Sequence, residues 1–233
     1  MMSSSVSELS KHNMNKFLSG FKRFHKNYFC DNIELFDHLR QAQSPKTLLI
    51  GCCDSRVDPA IITECDPGDM FVVRNVANLV APYHPDGVSG FHGVSAAVEF
   101  AVKGLKVENI IVMGHTQCGG IKALMQGVSK DEYQFVGQWM SIVQLAKDKT
   151  LKNFPDAAPE VQQRACEHAS ILLSLENLMS YPWVKERLMK NEITINGWYF
   201  DFERGELLGY DVENNIFEPL VTFTENDSPT VAQ

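Results

Sequence analysis

The sequence predicts an α/β fold: a central, mostly parallel β-sheet with flanking helices, an antiparallel edge strand near the C-terminus and an N-terminal helical arm. Three observations carry this. Short apolar, strand-like runs stand at Lys46–Gly51, Met70–Arg74 and Val107–Gly114. The later runs alternate with helical sequence, and strand–helix–strand order implies parallel pairing through right-handed crossovers. Ile193–Phe202 and Leu207–Val212 alternate around Glu203-Arg204-Gly205-Glu206, the pattern of a hairpin that adds a strand to the sheet edge.

Taken in order, residues 6–29 place Val6, Leu9, Met14, Phe17, Leu18, Phe21 and Phe24 at helical spacing, an apolar stripe suited to packing on a partner subunit. Asp31–Leu39 reads as a short helix with Asp31 as its N-cap. Pro45 keeps Gln43-Ser44-Pro45-Lys46 a loop. Asp66-Pro67-Gly68-Asp69 is a turn, and Asn78–Gly90 is irregular. Val94–Leu105 is a helix ending near Gly104, and Cys118–Gln126 is the helix after the third strand. Residues 134–150 and 160–190 read as helices, interrupted near Pro155–Pro159 and kinked at Pro182. The whole reads as a single domain over 1–233: helical arm 1–40, site-bearing core 41–127, helical and C-terminal sheet region 128–224, polar tail 225–233.

Composition narrows the partners. The 233 residues carry a net charge of −8, which argues against nucleic acid or an anionic membrane surface. No apolar run approaches the ~20 residues of a membrane span. The opening Met-Met-Ser-Ser-Ser lacks the basic and then apolar pattern of a secretory signal, so the expected location is cytoplasmic. In a reducing compartment Cys30, Cys52, Cys53, Cys65, Cys118 and Cys166 are expected to bind metal or pack as thiols rather than pair as disulfides.

The chemistry is concentrated in two stretches. Cys52-Cys53-Asp54-Ser55-Arg56 and His115-Thr116-Gln117-Cys118 each follow a strand run. Two thiols and an imidazole therefore emerge at the carboxyl ends of strands, where open α/β sheets bind ligands. Either fragment alone is weak, because a strand-end Cys is more often a small buried hydrophobe. Together they make a zinc site: Zn2+ takes sulfur and imidazole, and three protein ligands leave a fourth position for water. Cys53 rivals Cys52, but neighbouring strand residues face opposite sides, so only one joins. The Arg56 guanidinium can hold the Asp54 carboxylate ionised, and that carboxylate can orient a hydroxide. The simpler reading is that Asp54 or Ser55 caps the next segment. Gly114–Gly120 lacks the Lys-Ser/Thr of a phosphate loop, although amides at a helix start can meet an anion.

Cys-x-Asp-Ser-Arg followed by His-x-x-Cys-Gly-Gly resembles the β-class carbonic anhydrases. Gln43-Ser44-Pro45, Pro67–Val80 and Gly93–Val102 resemble further blocks of that family, so the likeness spans roughly residues 40–127. It implies reversible hydration of carbon dioxide to bicarbonate and a proton by a zinc-activated hydroxide. Zn2+ would sit on Cys52, His115 and Cys118, with Asp54 and Arg56 as the catalytic dyad. The resemblance also implies a pocket built across a homodimer interface, with a tetramer as its extension. Gln43 holds the family position that donates to the substrate or product oxygen. Phe71 and Val76 match apolar pocket walls. Phe100 stands where the family often has Tyr, losing a hydroxyl but keeping a wall, and Gly119 joins this substrate-side set. One branch of the family carries a non-catalytic bicarbonate site. Of its residues only Arg74 is matched, Leu49 and Phe200 replacing Trp and Tyr, which implies an open site with Asp54 on Arg56. His84 and His92 are candidate proton shuttles, more simply read as surface histidines. Two other classes fit the constellation: the same metal acting on another small heterocumulene such as carbon disulfide, and zinc as a structural staple, which usually takes four protein ligands.

Overall fold

The apolar runs pair as expected. The computed structural model describes residues 3–85, 92–127 and 133–223, with side chains from 14 in the first stretch and from 93 in the second. Its strands are β1 (Thr47–Cys52), β2 (Met70–Asn75), β3 (Asn109–His115), β4 (Thr194–Asp201), β5 (Glu206–Asp211) and β6 (Ile216–Pro219). They form one sheet in the order β2-β1-β3-β4-β5-β6. The pairs β1–β2, β1–β3 and β3–β4 are parallel, and β5 and β6 add antiparallel. The antiparallel edge thus has two strands, β6 being a four-residue segment beyond the hairpin. The polar tail from Glu225 lies outside the described residues.

The chain forms two compact units, one ending at Gln43 and one beginning at Ser44. The first holds α1 (Ser3–Phe24), a π-helical turn (His25–Phe29) and α2 (Ile33–Leu39). Asn32, not Asp31, precedes α2, and its side chain donates to the Tyr28 carbonyl at 2.8 Å instead of capping the helix. Phe36 gathers this unit, its ring lying 4.5 Å from Phe29 and 6.1 Å from both Phe24 and Tyr28. Met14, Phe17, Leu18 and Phe21 are exposed.

The second unit holds α3 (Pro59–Thr63), α4 (His92–Glu99, continued as a π-helical turn to Leu105), α5 (Gly119–Gln126), α6 (Val136–Met140), α7 (Gln144–Asn153), α8 (Pro159–Met179) and α9 (Pro182–Met189). The segment read as one helix over 134–150 is α6 and α7 joined by a 3-10 turn at Ser141–Val143. Pro182 opens a new helix rather than kinking one, because its fixed φ and missing N–H suit the first helical turn.

Strand alternation sorts the core. Leu48, Ile50, Ile110 and Val112 face Val98, Val102, Ile171, Leu178 and Val184. Leu49, Ile111 and Met113 point the other way, toward Ile62, Trp198 and Leu207. Each such side chain contributes about 1.5–3 kcal/mol by leaving water. A further cluster of Val57, Ala77, Leu79, Ile121, Leu124 and Met140 surrounds Cys52 and Cys118. No described helix is long and apolar enough to cross a membrane.

One buried histidine makes the fold acid-sensitive. His168 of α8 packs 4.3 Å from the rings of both Tyr199 and Phe217, and its Nε2 is buried without a partner. Burial, reinforced by the Arg164 cation, pulls its pKa down to about 4. The unfolded chain therefore binds a proton below about pH 6.5 that the native chain refuses. Stability is unaffected above that pH and falls by on the order of 3 kcal/mol as the pH drops to about 4. Urea unfolding at pH 7 and pH 4.5 should show a smaller acid loss in His168→Leu than in the parent chain. Equal losses would remove His168 from the account.

Candidate active site

Cys52 closes β1 and His115 closes β3, and these strands are hydrogen-bonded neighbours with Gly51 opposite Met113. Parallel pairing therefore sets both donors at one carboxyl edge. Cys52 is 4% exposed and His115 and Cys118 are each 1% exposed. Cys53 is exposed instead, and its amide extends the ladder to the Asn75 carbonyl at 2.9 Å. The sequence places Cys118 as the first residue of the helix after the third strand. In the structure Gln117 takes a left-handed conformation (φ 54), and Cys118 is the N-cap residue before α5 rather than part of its first turn. A left-handed non-glycine residue costs free energy, which the surrounding bonds must offset.

Cys52 Sγ and Cys118 Sγ lie 4.0 Å apart, and these sulfurs and a His115 nitrogen all fall within 4.8 Å of one another. Two sulfurs each ~2.3 Å from a tetrahedral zinc would stand ~3.8 Å apart, so the spacing fits. His115 Nδ1 donates to the Thr116 carbonyl at 2.8 Å, which leaves Nε2 as the lone-pair nitrogen. That Nε2 is buried and has no hydrogen-bond partner, as expected of a metal ligand. The hydrogen bond from Cys118 draws the Cys52 thiol down toward thiolate, while that same bond, with burial, pushes Cys118 up. A divalent cation bound there takes thiolates and displaces the thiol protons.

Asp54 sits beside this cluster. Its Oδ1 accepts from Arg56 N at 3.0 Å and Arg56 Nε at 2.9 Å, and its Oδ2 accepts from Arg56 Nη2 at 2.7 Å. Oδ2 is also 3.9 Å from His115 Nε2. The Arg56 hydrogen bonds hold the carboxyl well below the usual carboxylate range.

The carbonic anhydrase family model matches residues 47–207 of the chain. Beta carbonic anhydrase 3 of Arabidopsis thaliana is 40% identical over 190 residues, 80% of this chain and 72% of that protein. The chain belongs to the β-class carbonic anhydrases. The chloroplastic beta carbonic anhydrase 5 of the same plant is 42% identical over 183 residues, 78% of this chain but 60% of the longer relative. The solved structure of the β-carbonic anhydrase CcaA superposes with a TM-score of 0.84 at 34% identity, covering 89% of this chain and 99% of that one. A structural study of two tetrameric β-carbonic anhydrases from Sordaria macrospora provides a chain with the same fold, at TM-score 0.76, 24% identity and coverage of 85% and 96%. Carbonic anhydrases are carbonate dehydratases, lyases that reversibly hydrate carbon dioxide, and the β-class enzymes use zinc. Cys52, His115 and Cys118 can hold that ion.

Further residues support the Cys52, His115 and Cys118 cluster. Arg74 of β2 stands opposite Gly51 and donates to the carbonyls of Cys52 (2.8 Å), Asp54 (2.8 Å) and Val57 (2.9 Å) and to Asp58 (3.0 Å). It clamps the loop that carries the dyad. Glu167 of α8 is a buried carboxylate that accepts from Cys118 N and Gln163 Nε2, each at 2.9 Å, and from the Tyr199 hydroxyl at 2.8 Å. The turn after β4 ties down the other loop: Thr116 donates to Asp201 at 3.0 Å, and Gln117 donates to Glu203. Arg164 bridges Asp201 and Glu203.

The remaining sequence candidates divide. Val76 follows β2 and packs among the Cys52 and Cys118 cluster; a Cβ on Gly120 would stand 2.7 Å from its Cγ1. Gly119 opens α5 and is exposed. The rings of Phe71 and Phe100 lie 5.7 Å apart, tilted by 44°. Phe71 pairs with Leu48, whereas Asn75 pairs with Cys52, which puts Phe71 four residues back along β2, ~13 Å from the carboxyl edge. Gln43 ends the first unit and is exposed. Leu49 is fully buried on the sheet face opposite Ile50, and Phe200 lies opposite His115 in β4. His84 lines a cavity of ≈ 390 Å³ with Tyr83, Ser95, Tyr181 and Trp183, and Tyr181 and Trp183 belong to the core around Leu48 and Ile50 rather than to the cluster around Cys52. The side chain of His92 lies outside the described residues.

Proposed function

We propose that Cys52, His115 and Cys118 hold the zinc ion and that Asp54 and Arg56 orient the attacking hydroxide. The observation carrying this is the carboxylate fixed on Arg56 with Oδ2 beside the unpartnered His115 Nε2. Zinc, when bound, supplies a Lewis acid that brings a water's pKa toward neutrality. Asp54, kept ionised, can only accept. Its Oδ2 takes one bond from Arg56 and retains a lone pair for the O–H of the nucleophile, whose remaining electron pairs then face carbon dioxide. Val76 supplies an apolar wall for a substrate with no dipole, and the exposed amide end of α5 at Gly119 faces the anionic product.

Gln43, Phe71 and Phe100 complete the pocket from a second copy. The ~13 Å between Phe71 and the carboxyl edge of its own β2 supports this, as does the half-exposed Phe100 ring. The whole chain then works as one catalytic domain whose arm, residues 1–40, embraces the partner; Phe17, Phe21 and Leu18, 68%, 63% and 57% exposed, supply the apolar surface. Six free cysteines suit a reducing compartment, and we assign the enzyme to the cytoplasm.

A carbon dioxide hydration assay tests the core of this reading. Activity should vanish with a strong chelator and return with zinc; chelator-insensitive hydration would overturn it. Deleting residues 1–40 should turn a dimer into a monomer in sedimentation. An unchanged dimer of unchanged stability would remove the arm from the interface.

A further inference from the structure

The guanidinium of Arg56 rests on an aromatic face that arrives from β4. Arg56 Cζ stands 4.6 Å from the centroid of the Phe202 ring, and the same ring lies 6.1 Å from that of His115 at 30°. Phe202 thus adjoins both the dyad and a metal ligand. Its position is fixed from either side. Asp201 accepts from Glu203 N at 3.1 Å, Thr116 Oγ1 at 3.0 Å and Arg164 Nη1 at 2.7 Å, and Glu203 is bonded by Gln117 and by Arg164. Gly205, at φ 69, lets the chain return into β5.

Arg56 needs such support. Its side chain is 46% exposed and long, with many rotamers open to it in water. The two bonds to Asp54 hold one edge of the guanidinium, and Nη2 also donates to the Gln117 carbonyl at 3.1 Å. In-plane bonds leave the tilt of a planar group loose, and contact with a ring face restrains it. A cation over an aromatic face is attracted by the ring quadrupole, which an aliphatic side chain of similar size does not supply.

We propose that Phe202 is a positioning residue for the hydration reaction. Its ring fixes the tilt of Arg56, and through Arg56 the direction in which Asp54 accepts from the nucleophile. This rests on the reading of Asp54 and Arg56 given above. The test compares Phe202→Leu, Phe202→Tyr, Arg56→Lys and the double variant Phe202→Leu/Arg56→Lys, measuring zinc content, melting temperature, kcat and KM. Phe202→Leu should keep full zinc and its KM for carbon dioxide while kcat falls about tenfold. Phe202→Tyr, which keeps the ring face, should recover most of that loss. In the Arg56→Lys background the leucine change should have little further effect. The role is overturned if Phe202→Leu keeps kcat within about twofold, if it costs the same factor in both backgrounds, or if it loses zinc or the folded state, any of which makes the ring ordinary packing. A normal kcat in Arg56→Lys sinks the dyad reading itself, whereas an impaired Arg56→Lys beside a normal Phe202→Leu sinks the role of Phe202 alone.

Discussion

Cys52→Ser, His115→Ala and Cys118→Ala should each purify without stoichiometric zinc and lose carbon dioxide hydration by about a thousandfold or more. All three donors are buried, so a lost ligand leaves a metal with only two protein donors. In Cys118→Ala the Cys52 thiol also loses the hydrogen bond that draws it toward thiolate. Metal analysis alongside stopped-flow hydration checks this. A variant with one zinc per chain and a normal rate would mean that the ligand is elsewhere.

Asp54→Asn should behave differently: full zinc content, with kcat lower by about a hundredfold to a thousandfold. Asparagine fills the same space. With its oxygen turned to Arg56, its amide presents N–H groups to the nucleophile and so reverses the polarity that orients the hydroxyl. In the parent enzyme the Arg56 bonds hold the Asp54 carboxyl well below the usual range. Its contribution to stability is therefore fully present above about pH 4, the unfolded value, and is lost only as the pH falls through the depressed native value. Asp54 should accordingly put no acid limb on the rate profile above about pH 4. Near-wild-type turnover in Asp54→Asn would end the orienting role.

Much of the scaffold was legible because β1 and β3 are central strands of a parallel region, covered on both faces, and so read as unbroken apolar runs. The clustering of Cys52, His115 and Cys118 was legible because donor chemistry coincided with strand ends. Short elements escaped: α3 has five residues and β6 has four, too few to establish a period. Arg74 was noticed only as a fragment of an anion site; its register opposite Gly51 makes it a clamp for the dyad loop. The nearness of Glu167, Phe202 and Glu203 to the cluster was not legible, since each is an isolated residue brought there by the β3–β4 pairing or the course of α8. Phe71 and Phe100 were named by family likeness alone, and within one chain Phe71 lies toward the amino end of β2, away from the carboxyl edge.

The two sulfurs come from positions 66 residues apart. A chain still leaving the ribosome therefore offers one of the three donors until β3 has docked beside β1. A slip of one residue between those strands would swing His115 to the opposite face. On the ligand set proposed here, only copies with β3 in register beside β1 bring the three donors together.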